Sequence, residues 1–170
     1  TLAEEATEIY EDGREIITKY IGAADSGKII FSSGTTESIN LVASAWVKPK
    51  LKTGDRIMVT EMEHHSNLVP WQLVAQSCGA ELVYWPLNPE SGNCSDGRLQ
   101  LQKLDELLAQ SVKLKQKVKL LAVTAVSNVL GTMNPIAEIV KIAHAHGVPV
   151  LVDAAQAVAR MQIDVSVWDC

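Results

Sequence analysis

Two stretches of this chain, VKLLAVTAVSN (residues 118–128) and VPVLVDAA (148–155), are apolar almost without interruption. A strand with one wet face alternates apolar and polar side chains. A strand that is apolar on both faces belongs inside a sheet covered by helices, and such sheets are parallel. Between the two stretches lies IAEIVKIAHAHG (136–147), whose apolar residues recur at helical spacing and whose Gly147 supplies a stop. Strand, helix and strand in that order form a crossover unit, and such crossovers are right-handed.

The rest of the chain repeats the alternation. KIIFSS (28–33), DRIMVTE (55–61) and AELVYWPL (80–87) read as further strands. Residues 2–21 read as a helix, because Leu2, Ala6, Ile9, Ile16, Ile17 and Tyr20 fall near a 3.6-residue period and Gly22 ends it. TESINLVASAWV (36–47) is a helix with Thr35 or Thr36 near its N-cap and Pro49 beyond its end. NLVPWQLVAQSC (67–78) carries Pro70 in its first turn, where the missing N–H costs little. LQKLDELLAQSV (101–112) is another helix, and NPESGNCSDGR (88–98) reads as a loop, with 90–98 a solvent-exposed insertion. The closing QIDVSVWDC (162–170) reads as the approach to one more strand. The 170 residues make a single α/β unit with a mostly parallel sheet flanked by helices.

Composition excludes several classes of function. The net charge is −5 with the signs interspersed, which leaves no basic footprint for nucleic acid and no polybasic membrane patch. The apolar runs fall well short of the roughly 20 residues that a bilayer span needs. The acidic, amphipathic start TLAEEATEIYEDGREI reads as neither a signal nor a transit peptide. Cys78, Cys94 and Cys170 are widely spaced and odd in number, which argues against a disulfide framework and for a reducing compartment.

Ligands of open parallel sheets bind beyond the carboxyl ends of the strands, so the residues that follow each strand matter most. After 28–33 come Gly34, Thr35 and Thr36, either an ordinary helix cap with a glycine turn or a cradle for an anion. After 55–61 come His64 and His65, which allow stacking on a planar ligand, metal binding or plain exposure, although no metal-ligand spacing is present. After LLAVTAV (120–126) come Ser127 and Asn128. The last aliphatic strand ends on Asp153, either a turn cap or a buried partner for a cation such as a protonated pyridine nitrogen, and Gln156 follows three residues later. Cys78 reads as a core residue of its helix, and Cys94 has no activating partner in its polar loop.

The blocks SSGTTESINLVA, EMEHHSNLVPWQ, VSNVLGTMNPI and VLVDAAQAV, in that order, resemble the SUF-type (group II) cysteine desulfurases of the class V aminotransferase group. The resemblance runs from about residue 10 to the end, and the HHSNLVPWQ block favours this subgroup over its NifS-like cousins. It implies the large domain of a fold type I (aspartate aminotransferase-like) enzyme that uses pyridoxal 5'-phosphate. It also implies conversion of L-cysteine to L-alanine, with sulfur carried as a persulfide for iron–sulfur cluster assembly. Residue by residue, Thr35 and Thr36 match the turn that holds the cofactor phosphate, and His64 matches the catalytic histidine stacked on the ring. Asn128 matches the asparagine near the ring oxygen and the substrate carboxylate, Asp153 the partner of the ring nitrogen, and Gln156 the residue that bonds the ring oxygen. The family pattern implies a homodimer, a sulfur-acceptor protein and a cytoplasmic or plastid-stromal setting, with no nucleic-acid, membrane or metal partner.

The same pattern places a Schiff-base lysine some two dozen residues after Asp153, whereas the last lysine here is Lys141. None of the three cysteines matches the persulfide-carrying one. Residues 1–170 are thus expected to be part of a large domain, without the preceding segment, the lysine region or the small C-terminal domain, and to be inactive alone. A selenocysteine lyase, another class V enzyme and a lysine-less binding module are the remaining readings.

Overall fold

The computed structural model describes residues 1–89 and 95–170. Its helices are α1 (Leu2–Tyr20), α2 (Thr35–Leu41), α3 (Val69–Cys78), α4 (Leu101–Lys113), α5 (Ile136–Ala145) and α6 (Val165–Trp168), and its strands are β1 (Arg56–Thr60), β2 (Glu81–Trp85), β3 (Leu87–Pro89), β4 (Ser95–Leu99), β5 (Val118–Thr124) and β6 (Val150–Asp153). Four strands form one sheet in the order β2-β1-β5-β6, and every pairing in it is parallel.

Both faces of that sheet are covered, as its apolar strands require. Ile57 and Val59 of β1 and Leu120 and Ala122 of β5 point to one side, where they pack on Ile39 and Ala43 of the second helix and Trp71 and Ala75 of α3. Met58, Leu121 and Val123 point to the other side and meet Leu104 and Leu108 of α4 and Ile139 and Val140 of α5. Strand residues two apart share a face, so each central strand feeds both cores.

The chain closes α3 with Gly79, which sits at φ +65° in the left-handed region and hands over to β2. A Cβ there would stand 3.2 Å from Thr53 Oγ1 and 3.3 Å from Thr53 Cγ2. Gly79→Ala therefore combines backbone strain with a tight contact, and is expected to lower the urea-unfolding free energy by about 1–2 kcal/mol.

Several expectations change. Residues 28–33 form no strand: Lys28 closes a 3₁₀ turn (Ser26–Lys28), and Ile30 and Phe31 are exposed. A strand needs a ladder partner, and among the described residues β6, the sheet's last strand on one side, pairs with β5 alone. The helix expected over 36–47 begins one residue earlier and loosens into a π-helical turn at Val42–Val47, with Pro49 inside a following 3₁₀ turn. The loop expected over 88–98 is flanked by a two-stranded antiparallel ribbon of β3 and β4. Residues 90–94, including Cys94, lie outside the described residues. The closing segment holds the short helix α6, capped by Asp164 through the Ser166 and Val167 amides, rather than the approach to a strand. Cys78 is half-buried at the end of α3 and not in the core. No helix among the described residues is long and apolar enough to cross a membrane.

Candidate functional site

Strand order locates the site. From β1 the chain moves outward to β2, then returns past β1 to β5 and continues to β6. Connections thus leave β1 and β5 in opposite directions, and a crevice opens between their carboxyl ends, the usual ligand position in such sheets. Thr35, Thr36, His64, Asn128, Asp153 and Gln156 all line one cavity there, of about 250 Å³. These residues come from four separate stretches of sequence: the parallel register brings the ends of β1, β5 and β6 to one rim, and the start of α2 adds Thr35 and Thr36 there.

Gly34 is the N-cap of α2, with φ 154° and ψ 175°, a conformation essentially restricted to glycine. Thr35 and Thr36 are therefore the first two helical residues rather than caps. Ser33 is already engaged, since its amide (2.6 Å) and hydroxyl (2.7 Å) both donate to Glu37 Oε2. Those bonds, the side-chain one first, hold the Glu37 carboxyl below its ordinary pKa.

His64 leaves β1 in an extended conformation and opens the 3₁₀ turn His65–Asn67. Its Nδ1 accepts the Ser66 amide at 3.2 Å and lies 2.7 Å from Ser66 Oγ. An amide can only donate, so the proton of the neutral ring is on Nε2. The His65 ring stands edge-on to that of His64, 5.9 Å away at 71°, and only His64 of the two lines the cavity. No three His, Cys, Asp or Glu side chains gather as a metal site among the described residues.

Asp153 is buried at the tip of β6. Its Oδ1 accepts the Ala155 amide at 2.9 Å. Among the described residues no Lys, Arg or His makes an ion pair with it. A buried carboxylate without a cation is costly, and this one faces an open cavity. Gln156 is oriented by Arg160, whose Nη1 donates to its backbone oxygen at 3.1 Å and to its side-chain Oε1. With Oε1 occupied, Nε2 is the group Gln156 has left to donate.

Glu63 escaped the sequence reading. It lies two residues from Glu61 across the turn at residues 61–62 that follows β1, and the two acids end up in different surroundings. Glu61 is exposed and accepts the Leu87 amide at 2.9 Å. Glu63 turns inward and accepts from Thr60 Oγ1 (2.5 Å), Asn67 Nδ2 (2.6 Å) and the Thr124 amide (2.9 Å). Burial raises its pKa to about 7 against the pull of those bonds, and the charge of Asp153 adds to the rise. Neither motif nor spacing in EMEHH distinguishes the two acids; only the side to which each turns does.

A family model described as aminotransferase class-V matches residues 1–170. A cysteine desulfurase of Shigella sonnei (strain Ss046) is 47% identical over 170 residues, which is all of this chain and 39% of that protein. The crystal structure of the cysteine desulfurase CsdA from Escherichia coli superimposes with a TM-score of 0.83 at 38% identity, over 98% of this chain and 39% of its own. The apo structure of a cysteine desulfurase from Thermococcus onnurineus NA1 does so with a TM-score of 0.84 at 35% identity, over 99% of this chain and 38% of its own. The chain thus spans about two fifths of the length of these relatives. Parallel sheet, strand-end cavity and a match over every residue agree, and the chain belongs to the class-V aminotransferase family.

Proposed function

We propose that residues 1–170 form the cofactor-holding part of a pyridoxal 5'-phosphate-dependent cysteine desulfurase. The observation that carries this reading is Asp153, a buried carboxylate that faces the cavity and has no cationic partner among the described residues. A protonated ring nitrogen is the cation such a group calls for. Thr35 and Thr36 offer hydroxyls and first-turn amides to a phosphate at the same cavity. His64 would cover a face of the ring, and the Nε2 of Gln156 would donate to the ring oxygen, with Asn128 beside it. When bound, pyridoxal phosphate supplies an electron sink for charge that develops at the α-carbon of the substrate. Asp153 sustains that capacity by keeping the ring nitrogen protonated.

The reaction is conversion of L-cysteine to L-alanine, with sulfur passed on as a persulfide to an acceptor protein for iron–sulfur cluster assembly. In the whole protein the lysine that attaches the cofactor, the persulfide-forming cysteine and the substrate-binding small domain come from outside residues 1–170, and the protein is a homodimer of the cytoplasm or plastid stroma. Among the described residues no lysine lines the cavity. The 170-residue chain is accordingly expected to bind pyridoxal phosphate reversibly, with the absorbance of the bound ring lost on dialysis, and borohydride treatment is expected to fix no cofactor on any single lysine. Stoichiometric labelling of one lysine, located by mass spectrometry, would overturn this assignment. For the whole protein the test is alanine release from L-cysteine; release from selenocysteine alone would move the reading to a selenocysteine lyase.

A further inference from the structure

We propose that Glu63 is a positioning residue for this site: its carboxylate clamps the His64 turn to the end of β5, and the clamp tightens when a cation sits against Asp153. The proposal rests on the cofactor reading above for the identity of that cation. The clamp itself rests on contacts. Glu63 collects donors from three segments, the end of β1 (Thr60), the turn that follows His64 (Asn67) and the end of β5 (Thr124). Asn67 is buried, and its Oδ1 accepts Trp71 Nε1 at 3.0 Å, so its Nδ2 is committed to Glu63. Thr124 stands opposite Asp153 in the β5–β6 register, and its hydroxyl lies 3.4 Å from the Asp153 backbone oxygen. One carboxylate therefore joins the end of β1, the turn that follows His64 and the strand beside Asp153.

The chemistry of those donors makes the clamp depend on charge. An ionised carboxylate accepts from all three at once. A protonated carboxyl must place its own proton, and Thr60 Oγ1, at 2.5 Å, is the one partner able to accept it, because the Asn67 and Thr124 groups are donors. Protonation thus turns the Thr60 contact around and weakens the other two. The group facing Glu63 from β6 is Asp153, and its negative charge opposes ionisation. His64, on the same segment, engages Ser66 through Nδ1, and Asn67 of the turn, Trp71 of α3 behind it and Thr124 of β5 are neutral. With a pKa near 7, Glu63 is only partly ionised in the empty site at neutral pH. A cation against Asp153 removes that repulsion, which raises the pKa less than burial does, and so shifts Glu63 toward its ionised form and tightens the clamp. Affinity then rises as pH increases toward and through 7.

The probe is 4'-deoxypyridoxine 5'-phosphate, which keeps the ring nitrogen and phosphate but has no aldehyde to attach to a lysine. In the full-length protein its affinity is expected to climb between about pH 6 and pH 8 by roughly twofold to threefold more than in E63Q, the equivalent of a few tenths of a pKa unit. Calorimetry in two buffers of different ionisation enthalpy is expected to show proton release near pH 6 that E63Q lacks. Equal pH profiles and equal proton counts in the two proteins would overturn the proposal. Should E63Q fail to fold, infrared difference spectra of the wild type decide: a protonated-carboxyl band that weakens on adding the probe supports the clamp, and a band that is absent or unmoved sinks it. Should the wild type not bind the probe at all, the cofactor reading fails separately. The clamp is then read from urea unfolding of the empty protein. Because the folded pKa of about 7 exceeds the unfolded-chain value of 4.5, the wild type should lose stability as pH rises across that window. E63Q should lack that slope, and the same slope in both proteins would dismiss it.

Discussion

Replacing Asp153 by asparagine is expected to weaken equilibrium binding of pyridoxal phosphate by about a hundredfold. Truncating one partner of a buried charge pair costs roughly 2–5 kcal/mol, and each 1.4 kcal/mol is about a factor of ten. Asparagine keeps the shape of the side chain and the oxygen that accepts the Ala155 amide, so the fold should survive and the loss should report the charge. A ring analogue with carbon in place of the ring nitrogen provides the internal control, because it offers Asp153 no cation and should bind D153N at least as well as the wild type. Spectrophotometric titration of both ligands against both proteins checks the prediction. If D153N binds pyridoxal phosphate as the wild type does, the ring nitrogen does not sit against Asp153 and the proposed orientation is wrong.

The largest expected stability effect belongs to Trp71. Its side chain is fully buried between α3 and the sheet face made by Ile57, Val59, Leu120 and Ala122. Trp71→Ala should lower the unfolding free energy by about 4 kcal/mol, from lost apolar burial and the cavity left behind. Trp71→Phe separates the two roles of the indole. It keeps most of the packing but strands Asn67 Oδ1 without its donor, at about 1–2 kcal/mol. Urea denaturation of both variants measures these losses. The phenylalanine variant should also loosen Asn67, and through it the hold on Glu63, so its cofactor affinity should fall although Trp71 does not line the cavity.

Sheet and site were legible in the sequence to different depths, for physical reasons. β1, β5 and β6 carry apolar side chains on both faces, and few structures other than a covered parallel sheet can bury them. Once that sheet is granted, the rule that ligands sit beyond strand ends directs attention to Thr36, His64, Asn128 and Asp153 without their geometry being known. KIIFSS had the same local signature as a strand, yet Ile30 and Phe31 are exposed, because pairing depends on a neighbour that local composition does not report. β4 shows the opposite: SDGRL is polar and glycine-bearing and suggests a turn, and its pairing with β3 makes it a strand. Glu63 was hidden because its role lies in three donors drawn from positions 60, 67 and 124, a convergence that exists only after the fold has formed.

One consequence concerns β6. It is four residues long, it carries Asp153 at its tip, and among the described residues its ladder is shared with β5 alone. The side chain at the heart of the proposed cofactor contact therefore belongs to a margin where brief fraying is least opposed. A ligand that grips Asp153 would quiet that margin, and slower amide exchange along Leu151–Asp153 would register its arrival from the backbone alone.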